Sequence, residues 1–213
     1  MCRSLLFSVA FLLSGVLGYA SSAQATVVVM HSLEEMTRRS ELVAEARVAD
    51  QRVVEENGRI ITLTDVEVID GIKGAKSGDV LTIYQVGGTL NGTRMWIEGA
   101  HRYEIGEQMI FFGVRHGERV VSYGVGLGKF RIVYDGSFQK VVEDLSGVVV
   151  LKTGAGGQAE FETPTPRSFP SLATFKSEVK QWTSRERHLQ RMPARKILQP
   201  RRLQGAQAPG SAR

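Results

Sequence analysis

Residues 96–104 carry the densest set of side chains that could do chemistry. Glu98, His101 and Glu104 recur at every third position, and an imidazole together with carboxylates suits zinc. If the three converged, they would make a metal-dependent hydrolase. The chain contains no His-Glu-x-x-His motif, however, and its other three histidines are scattered. We therefore favour a solvated loop packed by Trp96 and Tyr103, and we expect no metal and no cofactor.

The same segment is the predicted ligand-contacting surface. Barrel proteins bind through the loops that a rigid scaffold positions, and aromatic side chains make effective contacts. The residues expected to contact a ligand are Trp96, Glu98, His101, Arg102 and Tyr103. No residue is assigned a catalytic role, and we do not expect the chain to be an enzyme.

The glycine-rich segment 124–130 invites comparison with a phosphate-binding loop. Such a loop needs a glycine five residues before Gly128 and a hydroxyl side chain after Lys129. Tyr123 and Phe130 occupy those two positions, and a strand-like segment follows where a helix is required. The sequence instead predicts a bend in which backbone passes close to backbone.

Other catalytic patterns are weak. Asp65 and Glu67 lie on one face of a predicted strand, and paired carboxylates can hydrolyse glycosides. Alternating acids on a solvated strand face are far commoner. The chain has no Gly-x-Ser-x-Gly elbow, a single cysteine, Cys2, and four histidines, which leaves little material for an activated nucleophile.

The N-terminus has the layout of a secretory signal peptide. Arg3 is followed by the largely apolar segment 5–19, and Ala23-Gln24-Ala25 is a small-x-small cleavage site. Residues 1–25 are therefore predicted to be removed, which leaves Thr26 as the mature N-terminus and takes away Cys2. We expect an exported protein, periplasmic or extracellular, with no transmembrane anchor.

Charge is divided unevenly along the chain. The formal net charge of +5 combines +1 from Arg3, −3 over residues 26–184 and +7 over residues 185–213. A mildly acidic body does not support nucleic-acid binding. The segment 190–213 is predicted to be a basic, disordered tail. It either makes weak contact with anionic surfaces or is a solvated end with no role.

Residue patterns predict a mainly β domain. Ser32 and Glu35 form a capping box before a short helix, and Asn57-Gly58 is a hairpin turn signal. Helical spacing of Leu172, Phe175 and Val179 predicts a second helix. We divide the chain into a β-barrel domain at 26–152, a linker at 153–167 and a C-terminal helix at 168–189. The expected fold is an antiparallel, closed barrel of five to six strands with both helices outside, and a β-sandwich is the alternative.

A family resemblance rests on turns and buried strands between residues 26 and 134. The segments that carry it are 42–48, Ile72-Lys73-Gly74, 103–107 and Phe111-Phe112. They resemble uncharacterised secreted bacterial proteins with an OB-type barrel and, more distantly, the netrin-like module of tissue inhibitors of metalloproteinases. Those inhibitors begin with a cysteine whose amine and carbonyl clasp the target's zinc, whereas Thr26 stands at that place here.

Three functions follow as hypotheses. The first is an exported, non-enzymatic binding or interaction module whose partner is another exported protein or an envelope component. The second, implied by the resemblance, is an inhibitor of a secreted metalloprotease or an accessory to one. The third is an envelope hydrolase with a metal site at Glu98, His101 and Glu104.

Overall fold

The computed structural model describes residues 26–117, 119–153 and 158–191. The predicted signal peptide at 1–25 lies outside the described residues, as does the predicted basic tail from residue 192 onward. Within the described ranges the chain forms thirteen strands and two helices. These are β1 (Thr26–Val28), α1 (Leu33–Arg39), β2 (Leu42–Glu56), β3 (Arg59–Lys73), β4 (Val80–Val86), β5 (Gly88–Leu90), β6 (Thr93–Met95), β7 (Gln108–His116), β8 (Arg119–Ser122), β9 (Lys129–Asp135), β10 (Phe138–Glu143), β11 (Val148–Thr153), β12 (Ala159–Glu162), β13 (Ser168–Phe169) and α2 (Leu172–Arg191).

Five strands are hydrogen-bonded into a ring, in the order β7, β2, β3, β4 and β8, with β8 returning to β7. All neighbours in the ring are antiparallel except β4 and β8, which are parallel and share the single pair Ile83 and Val120. From β7 the sheet continues outward through β9, β10 and β13. The predicted mainly β architecture with a short N-terminal helix and a C-terminal helix is confirmed.

The long hairpin of β2 and β3 sets the size of the ring. Asn57 and Gly58 have φ values of +52° and +70°, which suit the tight turns that match strand twist, so the predicted turn is confirmed. Register shifts interrupt the pairing, one of them between Val48 and Asp50. Such bulges bend strands and increase their twist, as a ring of only five strands requires.

Two apolar clusters lie on opposite faces of this sheet. One draws Val66, Ile83 and Phe111 from the ring strands and fills the interior of the ring. The other packs α1 and α2 against the outer face of the sheet, with Met36 and Phe175 fully buried. Each fully buried side chain of this size contributes about 1.5–3 kcal/mol relative to exposure, so the helices fix the outer wall of the ring.

One predicted strand face is corrected by this packing. Alternation along β2 predicts Glu45 on the solvent side, yet Glu45 is only 4% exposed. Its carboxylate accepts hydrogen bonds from Gln108 and, at 2.6 Å, from Lys176 of α2. The helix covers this face of β2, and the two polar partners satisfy the buried charge.

The segment predicted as a linker at 153–167 contains β12, which pairs with β11, while β1 pairs with β11 from the other side in parallel. At the end of the segment the Arg167 guanidinium donates two hydrogen bonds to the fully buried Glu143 of β10, one of them from Nε at 2.8 Å, and the Arg167 backbone N–H donates a third at 3.3 Å. The sequence prediction did not include β10, β12 or β13.

Neither of the helices in the described ranges is long and apolar enough to cross a membrane.

Candidate functional site

Residues 87–107, here called the rim loop, connect β4 to β7. Their regular structure is the β5–β6 hairpin, whose turn at Asn91 and Gly92 has φ values of +50° and +80°. The loop begins tightly against the ring, because a Cβ atom on Gly88 would lie 2.6 Å from the Thr62 hydroxyl. Only glycine fits this position, where φ is +142°.

Two of the predicted contact residues anchor the rim loop from below. Tyr103 is 6% exposed and belongs to the apolar cluster inside the ring, where burial raises the pKa of its hydroxyl. His101 is 3% exposed and meets Tyr103 edge to face, with ring centroids 6.2 Å apart. Burial lowers the pKa of His101 to about 4, so its imidazole is neutral at pH 7.

The other predicted contact residues, Trp96, Glu98 and Arg102, lie at the surface of the loop. The Arg102 guanidinium carbon is 4.7 Å from the centroid of the Trp96 ring, which is a cation–π contact. Trp96 and Arg102 line two different cavities. The pair therefore forms the shared wall of the candidate site.

The first of the two cavities, called the charged cavity here, has a volume of about 450 Å³. Ionised side chains from the rim loop, β9 and the turn after β10 converge on it. They are Glu98, Arg102, Glu104, Glu107, Lys129, Arg131 and Asp144.

Lys129 lies at the base of the charged cavity, and its side chain is 3% exposed. Its ammonium is 2.8 Å from Glu107 Oε1 and 3.4 Å from Asp144 Oδ2, and it donates to the Arg102 carbonyl oxygen at 2.5 Å. Burial of such a cation is tolerated only with partners of this kind. This cluster holds the rim loop onto β9 and the turn after β10.

Asp144 is held ionised in this cluster. Burial opposes ionisation, but the Ser146 hydroxyl donates to Oδ1 at 2.7 Å, and the charge of Lys129 acts in the same direction. Together they keep the pKa of Asp144 below its usual value. Sequence reasoning did not single out Lys129, Glu107 or Asp144 for a shared site, because they lie on three separate segments.

The second, the neutral cavity, has a volume of about 340 Å³ and lies on the other side of the Trp96–Arg102 pair. Amide, hydroxyl and imidazole groups supply most of its polar lining. The lining residues are Gln51, Val53, Thr62, Gln85, Gly88, Thr89, Trp96, His101, Arg102, Tyr103 and Glu104. His101 Nε2 is buried and has no hydrogen-bond partner.

The hypothesised metal ligands Glu98, His101 and Glu104 do not form a site. Over residues 26–117, 119–153 and 158–191, no three His, Cys, Asp or Glu side chains are grouped so that they could hold a metal ion. The reason is geometric, since His101 points into the packed base of the loop while Glu98 and Glu104 stand exposed.

The two carboxylates on β3, Asp65 and Glu67, have different surroundings. Asp65 is bound by Arg52 and by the Thr82 hydroxyl at 2.5 Å, whereas Glu67 is exposed. The Thr82 hydrogen bond and the Arg52 guanidinium, which outweigh partial burial, lower the pKa of Asp65.

The glycine-rich bend supports the rim loop from behind. A Cβ atom on Gly126 would lie 2.2 Å from the Gly99 carbonyl oxygen, and one on Gly128 would lie 2.5 Å from the Phe112 carbonyl oxygen. The predicted close approach of backbone to backbone is confirmed. Val125, which immediately precedes Gly126, adopts φ of +62°, a strained value for a β-branched residue.

In the inhibitors named above, the first residue of the mature protein contacts the zinc of the target. Thr26, which stands at that place in this chain, lies in β1 and pairs with Val148. Comparison of the chain with protein-family models, with curated proteins and with solved structures finds no match.

Proposed function

We propose that the protein is an exported, non-enzymatic binding module in which the ring of five strands is an OB-type barrel and the rim loop contacts the ligand. The ring order and the apolar filling of its interior support a small barrel. Ligand binding through loops at the mouth is the common use of such barrels.

The observation that carries the proposal is the Trp96–Arg102 pair between two cavities. Tryptophan and arginine supply a large share of binding energy at protein contact surfaces. Here both belong to a loop that is anchored by buried side chains at His101 and Tyr103. A pre-positioned contact surface loses little conformational entropy when it binds.

The chemistry of the site favours binding over catalysis. The ammonium of Lys129 already contacts two carboxylates and a carbonyl oxygen, so it is not poised as a nucleophile or as a proton donor. His101 is buried beneath the loop and not exposed to an incoming substrate. The partner that this proposal implies is another exported protein or an envelope component.

Tryptophan fluorescence offers a direct test. The chain has two tryptophans, Trp96 and Trp182, so a Trp182→Phe variant carries a single reporter at the site. Concentrated periplasm and culture medium, separated into small-molecule and macromolecular fractions, are added to the purified protein. We expect at least one fraction to shift the Trp96 emission saturably.

The matched control is Trp96→Phe, which retains Trp182 in α2 and should show no shift. A lack of any shift with every fraction would contradict the proposed function, as would consumption of the bound compound by the protein. Export is tested separately by expressing the full chain and measuring the mass of the secreted product, which should begin at Thr26.

A further inference from the structure

The polar lining of the neutral cavity carries almost no net charge. Gln51 and Gln85 contribute amides, and Thr62 and Thr89 contribute hydroxyls. The charged side chains that reach it are Arg102 and Glu104, one of each sign, at its rim. An ionic ligand would lose its hydration here without gaining a net opposite charge, so this cavity suits an uncharged ligand.

The imidazole of His101 lies in the wall of this cavity and is enclosed there, with only 3% of the residue exposed. Its Nε2 is buried without a partner, and an unsatisfied buried polar atom costs about 1–3 kcal/mol. Because the pKa of His101 lies near 4, the ring is neutral at pH 7 and Nε2 either donates or accepts, according to the tautomer. The imidazole therefore adds no charge to the cavity.

Other polar groups of the cavity are already held in place. The Gln51 amide donates to Thr64 Oγ1 at 3.0 Å, and the Thr62 hydroxyl donates to the Gly87 carbonyl oxygen at 2.7 Å. A hydroxyl that donates one hydrogen bond still has lone pairs that accept others. These groups are therefore ordered before a ligand arrives, which reduces the entropy lost on binding.

Trp96 adds a flat apolar surface to this polar lining. Its ring is half-buried and lines the neutral cavity. A sugar ring combines hydroxyl groups at its edge with apolar C–H groups on its faces, so it matches a pocket with amides and hydroxyls around one aromatic ring. The volume of about 340 Å³ falls in the lower part of the range of small-molecule sites, as expected for one or two sugar units.

We propose that the neutral cavity is a carbohydrate-binding site that takes an uncharged saccharide, with its hydroxyls on the Gln51 and Gln85 amides and an apolar ring face on Trp96. This inference rests on the proposed binding function and names the chemical class of the ligand.

The test uses the Trp182→Phe protein and a defined panel of ligands. The panel holds neutral mono- to tetrasaccharides of glucose, galactose, mannose and N-acetylglucosamine, with glucuronate and galacturonate as charged counterparts. We expect at least one neutral saccharide to shift the Trp96 emission saturably and to raise the thermal unfolding midpoint. The uronates should bind more weakly than the matching neutral sugars.

Two variants locate the site. Gln85→Ala removes one amide from the half-buried wall of the neutral cavity and should lower saccharide affinity about 3- to 10-fold, the loss expected for one neutral hydrogen bond. Arg131→Gln is the matched control, because Arg131 lines the charged cavity and not the neutral one. It should leave saccharide affinity unchanged.

The outcomes separate the two proposals. If no neutral saccharide of the panel binds, or if binding is unaffected by Gln85→Ala, the carbohydrate inference is overturned. If saccharides fail while a fraction of periplasm or medium still shifts Trp96, the binding function stands and the ligand class is wrong. If nothing shifts Trp96, both fail.

Discussion

The backbone of Gly126 rests directly on the backbone of Gly99, so closely that a Cβ atom on Gly126 would lie 2.2 Å from the Gly99 carbonyl oxygen. This contact joins the glycine-rich bend before β9 to the rim loop. The rim loop is therefore supported from two sides, by this backbone contact and by the ion cluster at Lys129.

A single methyl group tests that support. Gly126→Ala must push the bend away from the rim loop, because backbone cannot yield as a flexible side chain can. We expect the free energy of unfolding to fall by about 2–3 kcal/mol, measured by urea denaturation. Ligand binding should weaken in parallel, since Gly99 lies three residues from Trp96.

The neighbouring position supplies a control of opposite sign. Val125 is 46% exposed and has φ of +62°, which costs a β-branched residue about 1–2 kcal/mol. Val125→Gly relieves that strain but adds conformational freedom to the unfolded chain. We therefore expect the free energy of unfolding to rise by about 0.5 kcal/mol. A clear loss of stability in Val125→Gly would contradict the strained conformation.

His101 makes the stability of the protein depend on pH. Its folded-state pKa of about 4 is below the ordinary value near 6.5, so the unfolded chain binds the proton more readily. The stabilisation is complete above pH 6.5 and is lost as the pH falls from 6.5 towards 4. The loss should reach roughly 3 kcal/mol, measured as the urea unfolding free energy at each pH.

Two variants assign this pH dependence. His101→Phe should flatten the curve between pH 6.5 and 4, whereas His116→Gln, at an exposed histidine, should leave its slope unchanged. The negative charge of Asp144 favours the protonated imidazole and so opposes part of the burial effect on the pKa of His101. The pKa of Asp144 itself is lowered, so this carboxylate stays ionised across the window. An unaltered slope in His101→Phe would show that another group binds the proton.

Local patterns in the sequence were enough to predict much of the scaffold. β4 occupies Val80–Val86, the alternating and β-branched segment expected for it, and Ser32 accepts a hydrogen bond from the Glu35 backbone as an N-cap should. These features depend on residues a few positions apart. By contrast β10, Phe138–Glu143, lacks a clear period of two, because it lies between β9 and the short β13 with both faces partly covered.

The candidate site was only half predictable for the same reason. The composition of residues 96–104 pointed to the rim loop, yet the identity of its two cavities depends on partners far along the chain. The Gln51 amide donates to the Tyr103 carbonyl oxygen across 52 residues, and Lys129 donates to the Arg102 carbonyl oxygen across 27 residues. Which side of the loop is charged and which is neutral is decided by this long-range packing and not by local spacing.

The ion cluster beneath the rim loop should be essential to the fold. Lys129→Met leaves Glu107 and Asp144 with a buried, uncompensated negative charge. We therefore expect the free energy of unfolding to fall by about 3–5 kcal/mol. Lys140→Met is the matched control, because Lys140 pairs with Asp135 at the exposed β9–β10 hairpin, where solvent screens the pair and its contribution to stability is small. Equal effects in urea denaturation would mean that the Lys129 cluster is solvated.

Arg167 provides the most discriminating test of the segment between β12 and α2. Its guanidinium holds the carboxylate of Glu143, which is fully buried, and lies 5.7 Å from the centroid of the Phe130 ring. Arg167→Met should therefore lower the free energy of unfolding by about 3–5 kcal/mol and open residues 158–171 to limited proteolysis.

A double variant separates two causes of this penalty: the loss of the attraction between Arg167 and Glu143, and the cost of leaving the buried Glu143 carboxylate charged and unpaired. If most of the penalty comes from an unpaired buried carboxylate, Glu143→Leu combined with Arg167→Met should recover at least half of the stability, because an apolar pair of similar volume removes the desolvation cost. Protection of residues 158–171 from protease should return with it. A double variant as unstable as Arg167→Met alone would instead mean that the guanidinium holds this segment through its packing on Phe130 and Met36.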